Sequence, residues 1–517
     1  MPSDQNPFEN QWKTVSSRWG HRLHAMCSYM AMFPPNLPHY FIQRCTEPGD
    51  LVLDPFCGRG TTPLEACLSA RVGIGNDLNE LAFALTKAKT QVPNADDQDR
   101  RLLQLLDDYE SPPEVAGLLQ EYRRLSHVAV EDQKQYKTPA VNGMNVEDWQ
   151  RLQGVMRELR RVYSVLPNMP HYNDEEYDRT GTSRENGYTE EHHHRIWLFI
   201  HPATLHQLVY LKKNLGPDPC DAFLRAVVLG ILHGRGHFYL SLPMPNTFSL
   251  TPRYSLSYSY RHRLVLPDRD AFSCLKAKLR LLGLLGPGTR SKGIRKSVSL
   301  ESYVPGVALK EDIRNLPAAL APVLQKYGRR PRLLVTSPPY LDVIRYGLYN
   351  WIRFWFLDSE SKTDLGLDDG HRTPEAYLAF MREAMSASYE IMDNHSLSAW
   401  VIGDVTARGI SRLNLAQAVW EHSAKPEGWK LLGIIDDEVM DNRKVTKIWG
   451  ESKGQATRVD RVLLLYKKSW PDRKVEVTWY PRLAASPLNT TSHECPAPPL
   501  APPDPTLLLR TQTCHPG

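Results

Sequence analysis

Two short stretches, far apart in a chain of 517 residues, carry side chains that can do chemistry. The later one is Ser337-Pro338-Pro339-Tyr340, at the end of the apolar run Arg332-Leu-Leu-Val-Thr336. Prolines donate nothing to a sheet ladder and have a fixed φ, so two in succession end a strand and aim the carbonyls before and between them. A planar amine on a heterocycle has two hydrogens and a lone pair delocalised into the ring. If Ser337 Oγ and the Pro338 carbonyl accept both hydrogens, the nitrogen is drawn toward tetrahedral geometry and its lone pair is freed for attack. Fixed dipoles and alignment of the reacting atoms supply most of the catalysis such a step needs. The Tyr340 ring can stack on the heterocycle.

The earlier stretch is Leu51-Val-Leu-Asp-Pro-Phe-Cys-Gly-Arg-Gly-Thr-Thr62. Leu51 to Leu53 reads as a buried strand, ended by Asp54 and Pro55. Gly58 and Gly60 permit a tight turn that sits close to a ligand, because glycine takes positive φ without strain. Thr61 and Thr62 are expected to provide N-cap hydroxyls for a helix through Leu64 to Ser69. Arg59, between the glycines, is expected to point outward. A second strand, Val72 to Asn76, ends in Asp77, an acid placed to bind both hydroxyls of a ribose. Strand, glycine turn, helix, strand and acid together form a nucleotide-sized cradle.

Both stretches resemble motifs of the S-adenosylmethionine-dependent DNA amino-methyltransferases. Asp54-Pro-Phe-Cys-Gly-Arg-Gly-Thr-Thr62 is similar to motif I of that family, with Arg59 where serine is frequent. Ser337-Pro-Pro-Tyr340 is similar to motif IV, whose Thr-Ser-Pro-Pro-Tyr form is most often the cytosine-N4 version. The resemblance implies a class I methyltransferase: an α/β, Rossmann-like fold with a seven-stranded mixed sheet. It implies that Asp54, Phe56, Cys57, Gly58, Gly60, Thr61, Thr62 and Asp77 bind S-adenosylmethionine. Phe33 and Pro34, ahead of the first strand, fit the segment that covers the methionine end of the cofactor. Asp312, after a third strand at Val307-Ala-Leu309, fits the acid that takes the adenine amino group, with Glu311 as competitor. Ser337, Pro338, Pro339 and Tyr340 fit the catalytic motif, with Tyr340 stacking on a base flipped from the duplex.

Placing the third strand at Val307 divides the chain. Residues 1–90 are an N-terminal arm and the first part of the methyltransferase domain. Residues 91–303 are a large, mainly helical insertion for target recognition. Residues 304–469 complete the domain, with later strands at Ser398–Asp404, Trp429–Ile435 and Asp460–Lys467. Residues 470–517 are a proline-rich tail expected to be disordered in part. Within the insertion, helices are expected at Asp97–Tyr109, Pro113–Leu125, Ile196–Leu215 and Ala222–His233. Residues 251–296 carry eleven Lys or Arg against two Asp. With tyrosines interleaved, this is a footprint for nucleic acid. Arg235, Tyr254, Arg261 and Arg263 are the expected DNA contacts.

Composition narrows the remaining choices. Hydrophobic residues make up 41% of the chain, which suits a globular protein. No apolar run is long enough to span a bilayer, and no secretion signal opens the chain, so a cytoplasmic protein is expected. Eight cysteines occur without a Cys-x-x-Cys pair, and the three adjacent histidines at 192–194 cannot share one face, so no metal is expected. A net charge of +5 is too mild to identify a polyanion partner without local charge. The resulting expectation is methyl transfer to cytosine N4 in double-stranded DNA, as the modification half of a restriction–modification system with a cognate endonuclease. Adenine-N6 methylation on the same scaffold is the rival. RNA methylation and a non-catalytic protein that binds DNA and S-adenosylmethionine are further alternatives. C5 methylation of cytosine is disfavoured, because Pro338-Pro-Tyr340 stands where that chemistry needs a nucleophilic cysteine.

Overall fold

The computed structural model describes residues 8, 11–15, 19–29, 33–134, 145–172, 196–234, 239–242, 263–284, 300–339, 346–358, 373–403, 414–438, 459–471, 477 and 479. Seven strands form one sheet: β1 (Leu51–Asp54), β2 (Val72–Asn76), β3 (Val307–Leu309), β4 (Leu333–Thr336), β5 (Leu397–Gly403), β6 (Lys430–Glu438) and β7 (Val459–Tyr466). Their spatial order is β3-β2-β1-β4-β5-β7-β6. The first five are parallel, and β7 runs antiparallel between β5 and β6. This is the seven-stranded mixed sheet that the resemblance implies.

The central strands are buried along their whole length, which is why they are continuous apolar runs. Successive residues serve opposite faces. Val52, Val335 and Val401 pack with Leu37, Tyr40 and Phe41 of α1 (Asn36–Cys45). Leu53, Leu334, Trp400 and Ile402 face a second core, with Tyr377 and Met381 of a helix spanning Pro374–Ile391. The helix after the glycine turn, α2 (Thr61–Leu68), lies very close to β2. A side chain at Gly73 would collide with the Pro63 carbonyl.

Between β2 and β3 the chain runs through α3 (Glu80–Thr90), α4 (Ala95–Asp107), α5 (Ala116–Lys134), α6 (Val146–Ser164), α7 (Pro202–Asn214), α8 (Pro219–Ile231) and α9 (Ala271–Leu282). These helices enclose a third core, which also takes in α11 (Tyr346–Phe356). The third-layer helices are α10 (Leu316–Tyr327) and α12 (Pro374–Ile391). The single helix expected over Ile196–Leu215 is broken. Residues 196–198 form a 3₁₀ turn, Ile200 bridges to Ser241, and α7 starts at Pro202 with His201 as its cap. Proline at the first helical position fits a helix start, where its missing N–H costs nothing. Among the described residues, no helix is long and apolar enough to cross a membrane.

Candidate active site

The chain turns at Gly58 and Gly60 with φ of 50° and 76°, in the left-handed region that suits glycine. Gly60 N donates to the Cys57 carbonyl at 2.7 Å, and Thr86 Oγ1 donates to the Gly58 carbonyl at 3.3 Å. A Cβ on Gly60 would come within 2.8 Å of Thr86 Oγ1, and one on Gly58 within 3.3 Å of the Tyr29 ring. Gly60 itself is the N-cap of α2 and has no side chain to cap with. The expectation for Thr61 and Thr62 is therefore corrected: they are the first helical residues. Thr62 Oγ1 donates across to the Val335 carbonyl of β4 at 3.0 Å. Arg59 does not point outward. Its guanidinium turns back and donates to the His24 carbonyl at 2.9 Å.

Asp77 lies beside this turn. Its Oδ2 accepts the Gly58 amide at 2.8 Å, and its Oδ1 accepts the Asn79 amide at 3.0 Å. Each oxygen keeps a further lone pair. Burial pushes the Asp77 carboxyl up to about 6, against the pull of those two amides.

The two motifs meet at one end of the sheet. β1 and β4 are parallel neighbours, so both end on the same side. Thr336 Oγ1 donates to Asp54 Oδ1 at 2.6 Å, immediately before Ser337. Asp54 is 1% exposed. Burial pushes its carboxyl up to about 7, although bonds from Thr336 and the Phe56 amide hold it down. Ser337 Oγ donates to the Val401 carbonyl of β5 at 3.3 Å. Pro338 is buried and Pro339 half-buried. Phe56 packs at 5.7 Å from Phe380, and Cys57 Sγ lies 3.2 Å from Thr86 Oγ1.

Other expected site residues are placed as follows. Phe33 and Pro34 are half-buried just ahead of α1. Asp312 caps the turn Ile313–Asn315, and both its oxygens are taken by Arg314, at 2.8 and 2.6 Å. The Glu311 backbone is bound by the Asn76 side chain through its N–H and its carbonyl, both at 3.0 Å. Arg263 lies just ahead of Leu264, with φ of 46° and a buried Nε that has no hydrogen-bond partner. Tyr340, Arg235, Tyr254 and Arg261 lie outside the described residues, as do the three histidines.

The sequence reading missed Thr336 and Glu65. Glu65 on α2 is fully buried and is held by His24 Nε2 at 2.6 Å and His39 Nδ1 at 3.0 Å. This clamp fastens the N-terminal arm to the helix that follows the glycine turn. A lone carboxylate inside the apolar run Leu64-Glu-Ala-Cys-Leu68 was its one visible signal.

Residues 2–88 match the DNA methylase family model. The match takes in the arm, the glycine turn and Asp77, and ends well before Ser337. The type II methyltransferase M.MjaII of Methanocaldococcus jannaschii is 24% identical over 166 residues, 30% of this chain and 30% of that protein. The chain thus aligns with under a third of that relative's length. Among solved structures, TTHA0409 of Thermus thermophilus, described as a DNA modification methylase, is 17% identical. It covers 32% of this chain and 53% of its own, with a TM-score of 0.19. The rRNA methyltransferase aviRa of Streptomyces viridochromogenes is 10% identical, over 84% of this chain and 86% of its own, with a TM-score of 0.25. Likenesses at those scores carry no argument about function.

Proposed function

We propose that this chain is a site-specific DNA methyltransferase that methylates the exocyclic N4 amine of cytosine in double-stranded DNA, with S-adenosylmethionine as donor. The observation that carries the reading is the 2.6 Å bond from Thr336 to Asp54, which joins the Ser337-Pro-Pro strand end to the strand end of the glycine cradle. An amine acceptor and a donor site then share one rim, at the carboxyl ends of parallel strands, where ligands of such sheets bind. The match of residues 2–88 to DNA methylases supports DNA as the substrate.

The residues present fit the cofactor. The turn at Gly58 and Gly60 leaves no room for side chains and brings backbone to the rim. Asp77 has spare acceptor capacity on both oxygens for ribose hydroxyls. When bound, S-adenosylmethionine supplies an electrophilic methyl group on a sulfonium. Asp54, Phe56, Cys57, Thr61 and Thr62 shape the cradle, and Phe33 and Pro34 cover one end of it. Asp312 takes the adenine amino group through the remaining lone pair of Oδ2, beside the bond from Arg314.

Ser337 suits its role. With its proton committed to the Val401 carbonyl, the hydroxyl meets an incoming amine hydrogen with lone pairs. The Pro338 carbonyl takes the other hydrogen, and Tyr340 stacks on the base. Residues 91–303 serve as the inserted target-recognition region, with Arg235, Tyr254, Arg261 and Arg263 toward DNA. Residues 1–90 and 304–469 form the methyltransferase domain, and 470–517 a tail. A cognate restriction endonuclease is the partner this activity implies.

The choice of N4 rests on serine in Thr-Ser-Pro-Pro-Tyr. Incubating DNA with the protein and S-adenosylmethionine, then digesting to nucleosides for mass spectrometry, tests it. N4-methylcytosine is the expected product. N6-methyladenine in its place would move the assignment to the adenine enzyme, and no methylated nucleoside would overturn the enzyme reading.

A further inference from the structure

Four cations lie together beside the rim: half-buried Arg59 in the glycine turn, and buried Lys89 on α3, Lys278 on α9 and Arg353 on α11. Lys89 is fully enclosed, and Lys278 and Arg353 are 6% and 4% exposed. Three of them grip one stretch of the arm. Arg59 donates to the His24 carbonyl at 2.9 Å, Lys278 to the Ala25 carbonyl at 2.7 Å, and Arg353 to Ser28 Oγ at 3.0 Å. Arg353 also donates to the Leu229 carbonyl at 3.1 Å and to Asn350 Oδ1 at 2.6 Å. Lys89 donates to the Arg59 carbonyl at 2.5 Å.

Every one of those acceptors is neutral. Among the described residues, none of the four cations forms an ion pair with a carboxylate. The Cys27 thiol in their midst donates to the Ser28 carbonyl at 3.3 Å. Burial first, and then the charges of Arg59 and Lys278, push the Lys89 ammonium well down. Burying an ion without a counter-charge costs several kcal/mol. The carbonyl end of α8 offsets only about half a charge.

A second observation points the same way. His233 is 5% exposed, and its carbonyl accepts Arg353 at 3.5 Å. Its Nδ1 pairs with Ser241 Oγ at 2.7 Å, while its Nε2 is buried without a hydrogen-bond partner. A cluster with excess positive charge and an open imidazole nitrogen lacks the oxygens of an anion.

We propose that Arg59, Lys278 and Arg353, together with His233 Nε2, bind a phosphate of the DNA strand that carries the target base. This rests on the DNA-methyltransferase reading. The three contacts come from the glycine turn, the helices between β2 and β3, and the helix that follows Ser337-Pro-Pro in the chain. A phosphate held where those elements converge anchors the strand beside the base presented to Ser337.

Two variants test the site. Lys278→Met removes a charge at nearly constant volume. Arg59→Ser installs the residue frequent at that position in the family resembled, and keeps the carbonyl that Lys89 needs. DNA affinity is measured against KCl concentration for the wild type and both variants. Each lost phosphate contact lowers the slope of log K against log salt by about 1. Lys278→Arg should restore the wild-type slope, which a purely structural prop for the Ala25 carbonyl would not require. Unchanged slopes in folded variants that still bind DNA would overturn this site and leave the methyltransferase reading standing. A wild-type protein that binds no DNA would overturn both.

Discussion

Thr336 Oγ1 lies 2.6 Å from Asp54 Oδ1, so the last residue of β4 is bonded to the last residue of β1. Both side chains are buried. One hydroxyl thus couples the strand that carries Ser337-Pro-Pro to the strand that launches the glycine turn, and it sets their relative height at the rim. Thr336→Val keeps the shape and leaves a buried carboxyl oxygen without this donor. A loss of about 1–3 kcal/mol in unfolding free energy is expected, the cost of orphaning a buried polar group. A fall of tenfold or more in methyl transfer should accompany it, because small misplacements at a reacting centre are costly. Urea denaturation and single-turnover assays measure the two effects. Wild-type rates in a destabilised variant would mean that the bond holds the fold without tuning the site.

Asp54 also sets a pH dependence. Its folded value of about 7 lies above the ordinary 3.8, chiefly through burial. The folded state therefore keeps a proton there that the unfolded state has lost. The group's contribution to stability is fully present below about pH 4 and is lost as pH rises through 7, on the order of 4 kcal/mol in all. Asp54→Asn carries no such titration. Relative to the wild type, its stability should climb between pH 5 and pH 8. Equal stability differences at the two ends of that range would show that the carboxyl is already ionised at pH 5.

Asp77 links the acid of β2 to the glycine turn, through Oδ2 and the Gly58 amide at 2.8 Å. Removing it takes away two ribose acceptors and frees the turn. Hydrogen bonds to a charged group contribute about 1.5–3 kcal/mol, so Asp77→Ala should weaken cofactor binding roughly tenfold to a hundredfold. Isothermal calorimetry with S-adenosylmethionine reads this directly. Unchanged affinity would remove Asp77 from the cofactor site.

How much of this could be read beforehand depends on the kind of force involved. The strands were legible because a strand buried on both faces must be an apolar run, and Leu51–Leu53, Leu333–Val335 and Val462–Leu465 are such runs. Gly58, Gly60 and the two prolines were legible because their backbone constraints are intrinsic to the residue. The contacts of Thr336, Arg59 and Glu65 were not. Each reaches a partner tens to hundreds of positions away, and spacing along the chain holds no record of it. Arg59 was expected outside because an arginine between glycines is usually solvated. Here a carbonyl of the arm satisfies it.

The arm's own anchor yields the last prediction. Glu65 is drawn down to about 2: burial opposes ionisation, but the bonds from His24 and His39 outweigh it. His24 is itself lowered from 6.5 to about 4, mainly by burial. A carboxylate that accepts the N–H of a neutral His24 imidazole accounts for both directions at pH 7. Between pH 6.5 and 4 the unfolded chain takes up a proton at this histidine and the folded chain does not. The His24 contribution is therefore lost as pH falls through that window, on the order of 3 kcal/mol by its lower end. His24→Gln keeps a donor for Glu65 but does not titrate. At pH 7 it should cost about 1–3 kcal/mol, and the wild type's advantage should shrink steadily toward pH 4.5. Denaturant titrations of both proteins at four or five pH values would show it. If the gap holds constant from pH 7 to pH 4.5, His24 is not the neutral donor that fastens the arm to α2.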